Sequence, residues 1–353
     1  MPTLKFLISS NSEDRIYFIK SRCTSRVGHL FNRQSAHSDN ATDLRQMIVG
    51  CLAAVAEAYA VEVLAYTVLE DCFELVVMTR PTEANRWTNE TVARRWQSLH
   101  SPRKPSPTSL APPPATVETW RERLCSFSWF LKEVRERSSR GSREDASAPP
   151  MLKWNSNTAV KWLLDPGAVA AAIARVDLGA VMAGECTDFR DYHFASGAAR
   201  WERSASEALL AGQTQKDPAR PIARPEELTT ARQTIAESAW LAPLPQWAGN
   251  LHNAHTNSSA YFDLLDQSQA KLLQNGPPRP VDSPILTHTL LCEENWPESI
   301  VEMDSGFSAI VANPQLLATT SASFGKKLRP GISAANRLYA GKTAPGDHPD
   351  AAI

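Results

Sequence analysis

The residues with the clearest chemical potential are cations gathered in one stretch. Between Arg86 and Arg143 there are twelve Lys/Arg against five Glu, so this segment carries +7 and the rest of the chain −8, within a total of −1. Guanidinium groups bind phosphate oxygens bidentately, and each neutralised phosphate releases counterions, so such a cluster suits a nucleic-acid backbone. Arg86, Arg94, Arg95, Arg121, Arg123, Lys132, Arg135 and Arg140 are the candidate phosphate contacts. Trp87 and Trp96 lie among them and offer ring faces for base stacking, although Trp96 also shares a helical stripe with Val92 and Leu99 and fits a core position. The competing reading is a solvated face of helices on which Glu and Arg pair along the surface.

Other chemistry finds little support. The chain has no GxSxG, HExxH or GxGxxG. Ala340-Gly341-Lys342-Thr343 ends like a phosphate-binding loop, but Asn336 stands where the first glycine is needed. His252 and His255 are spaced HxxH among Asn, Ser and Thr with no further ligand nearby, which reads as a surface loop and not as a metal site. Cys23, Cys51, Cys72, Cys125, Cys186 and Cys292 form no CxxC pair and are expected to be reduced thiols.

These residues need elements to hold them. Ile16 to Cys23 alternates and is rich in bulky residues, which predicts a strand. Asp43 is placed to cap a helix over Leu44 to Tyr59, where Leu44, Ile48, Leu52, Val55 and Tyr59 recur at helical spacing. Val61 to Leu69 and Phe73 to Thr79 are β-rich runs around a short polar turn, and together predict a hairpin. A short helix over Asn89 to Leu99 follows. Ser101 to Ala115 then holds six prolines and reads as an exposed, semi-rigid insertion. Glu118 to Arg137 reads as one long amphipathic helix with Trp120, Leu124, Phe127, Phe130 or Leu131, and Val134 on its apolar side. Trp154 to Leu164 predicts a strand, and Pro166 opens an Ala-rich helix through Val176. The expected fold class is α+β: a ferredoxin-like βαββαβ antiparallel sheet with helices on one face, followed by a mainly helical C-terminal region. The boundaries expected are 1–200 for the first domain, 201–341 for the helical extension and 342–353 for a disordered tail.

Length and composition agree with two folded domains. The chain has 353 residues, of which 42% are hydrophobic and 21% charged, an ordinary globular balance that excludes a wholly disordered or fibrous protein. No stretch approaches the roughly 18 consecutive apolar residues of a membrane span, and Met1 to Ser10 lacks the features of a signal peptide, so a cytoplasmic location is expected.

Several segments, taken in order, resemble one family, the HUH single-tyrosine transposases of the REP-associated and insertion-sequence type. Ala65 to Pro81 (AYTVLEDCFELVVMTRP) resembles that family's signature hairpin, which reads alanine-tyrosine-x-x-methionine-x-asparagine-histidine-aromatic-histidine-leucine-valine. Arg86 to Leu99 and Trp120 to Asp145 are similar to the two helices that follow in long members, and Tyr261 to Tyr339 to their C-terminal extension. Ala172 to Gly184 (AIARVDLGAVMAG) is similar to the helix that carries tyrosine-valine-aspartate-leucine-asparagine-proline-x-arginine-alanine-glycine. The resemblance implies a DNA strand-transfer scaffold, a Mg²⁺ or Mn²⁺ cofactor held by two histidines on one strand face, a tyrosine nucleophile, and dimers.

At those positions this chain departs from the pattern. Cys72 and Glu74 replace the two histidines, Asp71 the asparagine, and Arg175 the tyrosine; Gly179, Ala180 and Met182 replace asparagine, proline and arginine. A guanidinium stays protonated and forms no phosphotyrosine. The resemblance places Glu74 and Arg175 at one site, where carboxylate and guanidinium would pair, in cis or across a dimer. Tyr59 and Tyr66 read as core residues, and Tyr192 lies past the helix. The expected protein is a transposase-like pseudoenzyme with no bound cofactor that keeps single-stranded or hairpin DNA binding, with a homodimer implied by the resemblance. The alternatives are an active metal-dependent single-strand nuclease with substituted ligands, and a structural or oligomerisation relic without a nucleic-acid partner.

Overall fold

In the first strand, β1 (Arg15–Cys23), bulky residues bury the centre, and Phe18 and Ile19 are fully enclosed. The computed structural model describes residues 13–24, 40–100, 113–141, 152–214, 223–244, 258–273, 281, 283–287, 289, 291–323 and 329–339. The HxxH pair, the Ala340–Thr343 segment, most of the Pro-rich insertion and the 342–353 tail lie outside these residues.

Helix α1 (Asn40–Ala58) buries Leu44, Ile48, Leu52 and Val55, the stripe that its sequence spacing dictates. It begins at Asn40, so the expected cap position, Asp43, falls within the helix and not before it. Strands β2 (Val61–Val68) and β3 (Cys72–Thr79) form the expected antiparallel hairpin, closed by the Leu69 N–H donating to the Cys72 carbonyl at 2.7 Å. Strand β3 lies between β1 and β2, antiparallel to both, and all eight of its residues are buried, so both of its faces are covered. A one-turn helix α2 (Pro81–Ala84) leads to α3 (Asn89–His100).

The single helix expected over Glu118 to Arg137 is two. Helix α4 (Pro114–Leu124) starts inside the proline cluster, with Pro114 in its first turn where a missing N–H costs nothing, so the last prolines belong to a helix and not to an insertion. The chain breaks at Cys125 and Ser126 and resumes as α5 (Phe127–Gly141), whose first bond runs from the Phe130 N–H to the Ser126 carbonyl at 3.0 Å. Leu124, Phe127, Leu131 and Val134 keep a helical spacing across the break, so the apolar pattern conceals it.

Strand β4 (Trp154–Leu163) follows, so that among the described residues one helix separates β1 from β2 and four helices, α2 to α5, separate β3 from β4. The sheet is mixed and five-stranded, in the order β2-β3-β1-β4-β5, and the last member is the two-residue β5 (Ile310–Val311), parallel to β4. The fold is thus α+β and mostly helical, but the sheet is not purely antiparallel.

The chain forms two compact units that alternate along the sequence: Met1–Val160 with Arg190–Ala242, and Lys161–Phe189 with Pro243–Ile353. In the first unit, the 190–242 segment protects the β2 edge. Thr67 bridges Ala195, Val63 bridges Leu241, and the Tyr192 hydroxyl donates to the Val68 carbonyl at 2.7 Å. Helices α8 (Ser196–Thr214) and α9 (Pro225–Glu237) follow there.

The second unit is built around α6 (Pro166–Asp177) and the short α7 (Gly179–Met182), which ends at Gly184 with φ +72°. The Glu185 N–H there reaches the Ala180 carbonyl at 2.9 Å and the Gly184 N–H the Val181 carbonyl at 3.0 Å, a left-handed helix end that glycine adopts without strain. Asp165 caps α6 by accepting from the Ala168 N–H at 2.8 Å, and also accepts from the Asn313 N–H at 2.6 Å and the Tyr339 hydroxyl at 3.0 Å. This carboxylate gathers α6, the turn into α13 (Pro314–Ser323) and the end of α14 (Arg329–Leu338). Burial and the carboxylate push the Tyr339 phenol far above its ordinary range, so it keeps its proton and donates. Helices α10 (Ser258–Leu273) and α12 (Trp296–Ser305) are joined by the Trp296 indole, which donates to the Ser268 hydroxyl at 2.8 Å. Between them in sequence is the one-turn α11 (Pro284–Thr287). No helix among the described residues is long and apolar enough to cross a membrane.

Candidate functional site

The register of the hairpin puts Lys20 of β1, Glu74 of β3 and Thr67 of β2 in one cross-strand row. The Lys20 ammonium lies 2.8 Å from the Glu74 carboxylate, with the carboxylate side chain fully enclosed. Cys72 projects to the same face two residues along and is 3% exposed, more deeply buried than a strand thiol at the surface would be. Burial first, then the negative charges of Glu74 and Asp71, pushes the Cys72 thiol well above the ordinary thiol range. The strand face therefore presents a protonated thiol and a carboxylate already bound by an ammonium.

That pair does not fit the Mg²⁺ or Mn²⁺ that the resemblance implies. Hard cations take oxygen ligands, a protonated thiol is neither anionic nor hard, and the single carboxylate carries its own cation. Among the described residues no cluster of three or more His, Cys, Asp or Glu has the arrangement of a metal site.

Arg175 belongs to the second unit, on the last turn of α6. Its guanidinium lies 3.8 Å from the Asp304 carboxylate and donates to the Val301 carbonyl at 3.3 Å, both on α12. Glu74 belongs to the first unit. Gly179 and Ala180, at the positions of the family's asparagine and proline, are buried in α7. Tyr59 and Tyr66 are 3% exposed, as expected of core residues, and the Tyr192 hydroxyl is spent on Val68.

The thiol gives a direct test. A free thiol is half ionised at about pH 8.5, and the thiolate is the species that alkylates. Raising the pH from 7 to 9 is expected to leave Cys72 unmodified by iodoacetamide in the native protein, while urea exposes it to complete reaction, read by peptide mass mapping. The unfolded thiol ionises first, so stability falls as the pH climbs past the ordinary thiol value.

The eight candidate phosphate contacts divide by what already holds them. Arg121 is 7% exposed, and its guanidinium donates to the Ala84 carbonyl at 2.6 Å, the Trp87 carbonyl at 2.8 Å, Asn89 at 3.0 Å and Glu118 at 3.1 Å. With those acceptors it ties α4 to the α2–α3 connection and has no face to offer a phosphate. Arg95 donates to the Glu57 carbonyl at 2.6 Å with its guanidinium 4.2 Å from the centre of the Trp87 ring, and Arg135 donates to the Asn155 carbonyl at 2.5 Å. Arg140 lies 3.8 Å from Glu133 but is largely exposed. Arg86 and Arg94 are exposed with no ion pair among the described residues.

Arg123 and Lys132 belong to an arrangement the sequence reading did not assemble. The Trp96 and Trp120 rings are nearly parallel, 8° apart with centres separated by 5.6 Å, and His100 lies 4.2 Å from Trp96. Arg123 sits 5.6 Å from the Trp96 ring centre and 4.4 Å from that of Trp129, and Lys132 sits 4.6 Å from Trp129. All three indoles are partly exposed. Helices α3, α4 and α5 thus carry a ladder of His100, Trp96, Trp120, Arg123, Trp129 and Lys132, in which Trp96 stacks on Trp120 and meets His100 and Arg123, and Trp129 meets Arg123 and Lys132. The available signal was Trp129, a large aromatic on the charged side of its helix; Trp120 reads as core from its spacing, and Lys20 as an isolated cation in an apolar strand.

Comparison with protein-family models, with curated proteins and with solved structures finds no match for this chain.

Proposed function

We propose that this chain is a nucleic-acid-binding protein on an HUH transposase-like scaffold that engages single-stranded or hairpin DNA through α3–α5 and does not cut it. The observation that carries the reading is the aromatic–cation ladder. Indole faces stack on bases irrespective of sequence, and interleaved cations supply phosphate neutralisation, the combination that single-stranded nucleic acid requires. The β2-β3-β1-β4 strand order supports the ferredoxin-like part of the reading. The Lys20–Glu74 pair and the protonated Cys72 favour loss of the strand-transfer reaction over substituted metal ligands.

Binding of a fluorescein-labelled hairpin, followed by anisotropy, tests the proposal. Affinity is expected to fall linearly with log salt, and Trp129→Ala or Arg123→Ala to weaken binding about tenfold, within the range that one lost base stack or charge contact produces. Arg121→Lys serves as the contrast, changing thermal stability more than affinity. Affinity no better than that of an acidic control protein at low salt removes the reading. Single-strand nicking that requires Mg²⁺ or Mn²⁺ and disappears in Glu74→Ala replaces it with the nuclease.

A further inference from the structure

A cavity of about 140 Å³ opens within the first unit, among α1, β2, α8 and α9. Its apolar wall is Tyr66 and Trp240, whose ring centres lie 5.1 Å apart at a tilt of 31°. Two carboxylates, Glu202 and Glu237, line it. Glu202 is held at 2.9 Å by His193, and Glu237 accepts from the Gln233 amide at 2.7 Å, contacts that use one oxygen of each. The Ser238 hydroxyl donates to the Thr234 carbonyl at 2.9 Å, so it has no proton to offer a ligand. No lysine or arginine is among the lining residues.

This combination selects a charge type. An anion meets two carboxylates, while the one basic lining group, the His193 imidazole, is already held by Glu202, and a neutral apolar molecule makes no use of either carboxylate. A compact cation with a greasy surface satisfies both features at once, with its charge over ring faces and beside carboxylates and its methyl groups against the aromatic wall. An empty volume of about 150 Å³ accommodates a molecule the size of benzene, so a trimethylated ammonium head matches the space. We infer that this cavity binds a methylated alkylammonium group, borne either by a small free molecule or by a lysine side chain of a partner protein.

The test uses the full chain and no nucleic acid, so it stands or falls separately from DNA binding. Choline and its uncharged isostere 3,3-dimethylbutan-1-ol are titrated while the Trp240 indole N–H resonance is followed, assigned by its loss in Trp240→Phe. A trimethyllysine peptide and its unmodified counterpart form the second arm. Choline is expected to bind about tenfold more tightly than the isostere. The paired substitution Glu202→Gln and Glu237→Gln, on exposed helix positions, is expected to remove most of that difference. A preference for the peptide over choline assigns the protein source, and the reverse assigns a free cation. Equal affinity for choline and the isostere, or no saturable shift with either choline or the peptide, overturns the inference on the wild-type chain alone.

Discussion

Replacing Lys20 with methionine is expected to destabilise the first unit by about 3–5 kcal/mol, the cost of stranding one member of a buried ion pair. Glu74 is fully enclosed and the Lys20 ammonium is 2.8 Å away, so the substitution leaves a carboxylate that water cannot reach. The double variant Lys20→Met with Glu74→Leu removes both charges and keeps the volume, and is expected to recover most of the loss, because a buried pair gains little over a well-packed apolar pair. Urea denaturation of the wild type, the single variants Lys20→Met and Glu74→Leu, and the double variant measures the coupling. A Lys20→Met protein as stable as the wild type would show that the pair does not hold this row of the sheet together. The result bears on function as well as folding. If the strand face has become core, both charges can be exchanged for apolar groups with DNA binding intact; a metal-dependent enzyme would lose its activity with Glu74.

The described elements between residues 13 and 80 were legible because each repeats a single period. Leu44, Ile48, Leu52 and Val55 recur on one helix face, and the hairpin is two bulky runs around three polar or small residues. The break between α4 and α5 was not legible, since neither glycine nor proline marks it and the apolar stripe runs through it unbroken. A serine that supplies the first carbonyl of the new helix is a weak sign in a chain so rich in serine. The alternation of the two units was hidden for another reason: contacts that cross a hundred residues leave no local trace in composition.

The same limit separates Arg121 from Arg123. They are two positions apart in one helix, and composition counts them alike. A two-residue step turns the helix by about 200°, so one guanidinium enters the interior and finds four acceptors while the other lies between indoles. Net charge pointed to the basic region but could not say which cations were already spent. The candidate interface therefore became visible only when the tryptophans of three helices were brought side by side.

In the second unit the largest effect is expected at Asp165. Its carboxylate serves three donors from separate parts of the chain: the Ala168 N–H, the Asn313 N–H and the Tyr339 hydroxyl. Asp165→Ala removes a helix cap, at about 1 kcal/mol, and strands two further buried donors at roughly 1–3 kcal/mol each, so a loss of about 3–7 kcal/mol is expected. Tyr339→Phe removes one donor and leaves the acceptor satisfied by two others, which limits its cost to about 1 kcal/mol. Asp165→Asn falls between them, because an amide offers one acceptor oxygen where the carboxylate offers two and turns its own N–H groups toward donors. Hydrogen exchange at the Asn313 amide reads the interaction directly, with protection lost in Asp165→Ala and largely kept in Tyr339→Phe. Equal protection in both variants would mean that the α14 end and the α6 cap are held independently, and that this carboxylate is only a local cap.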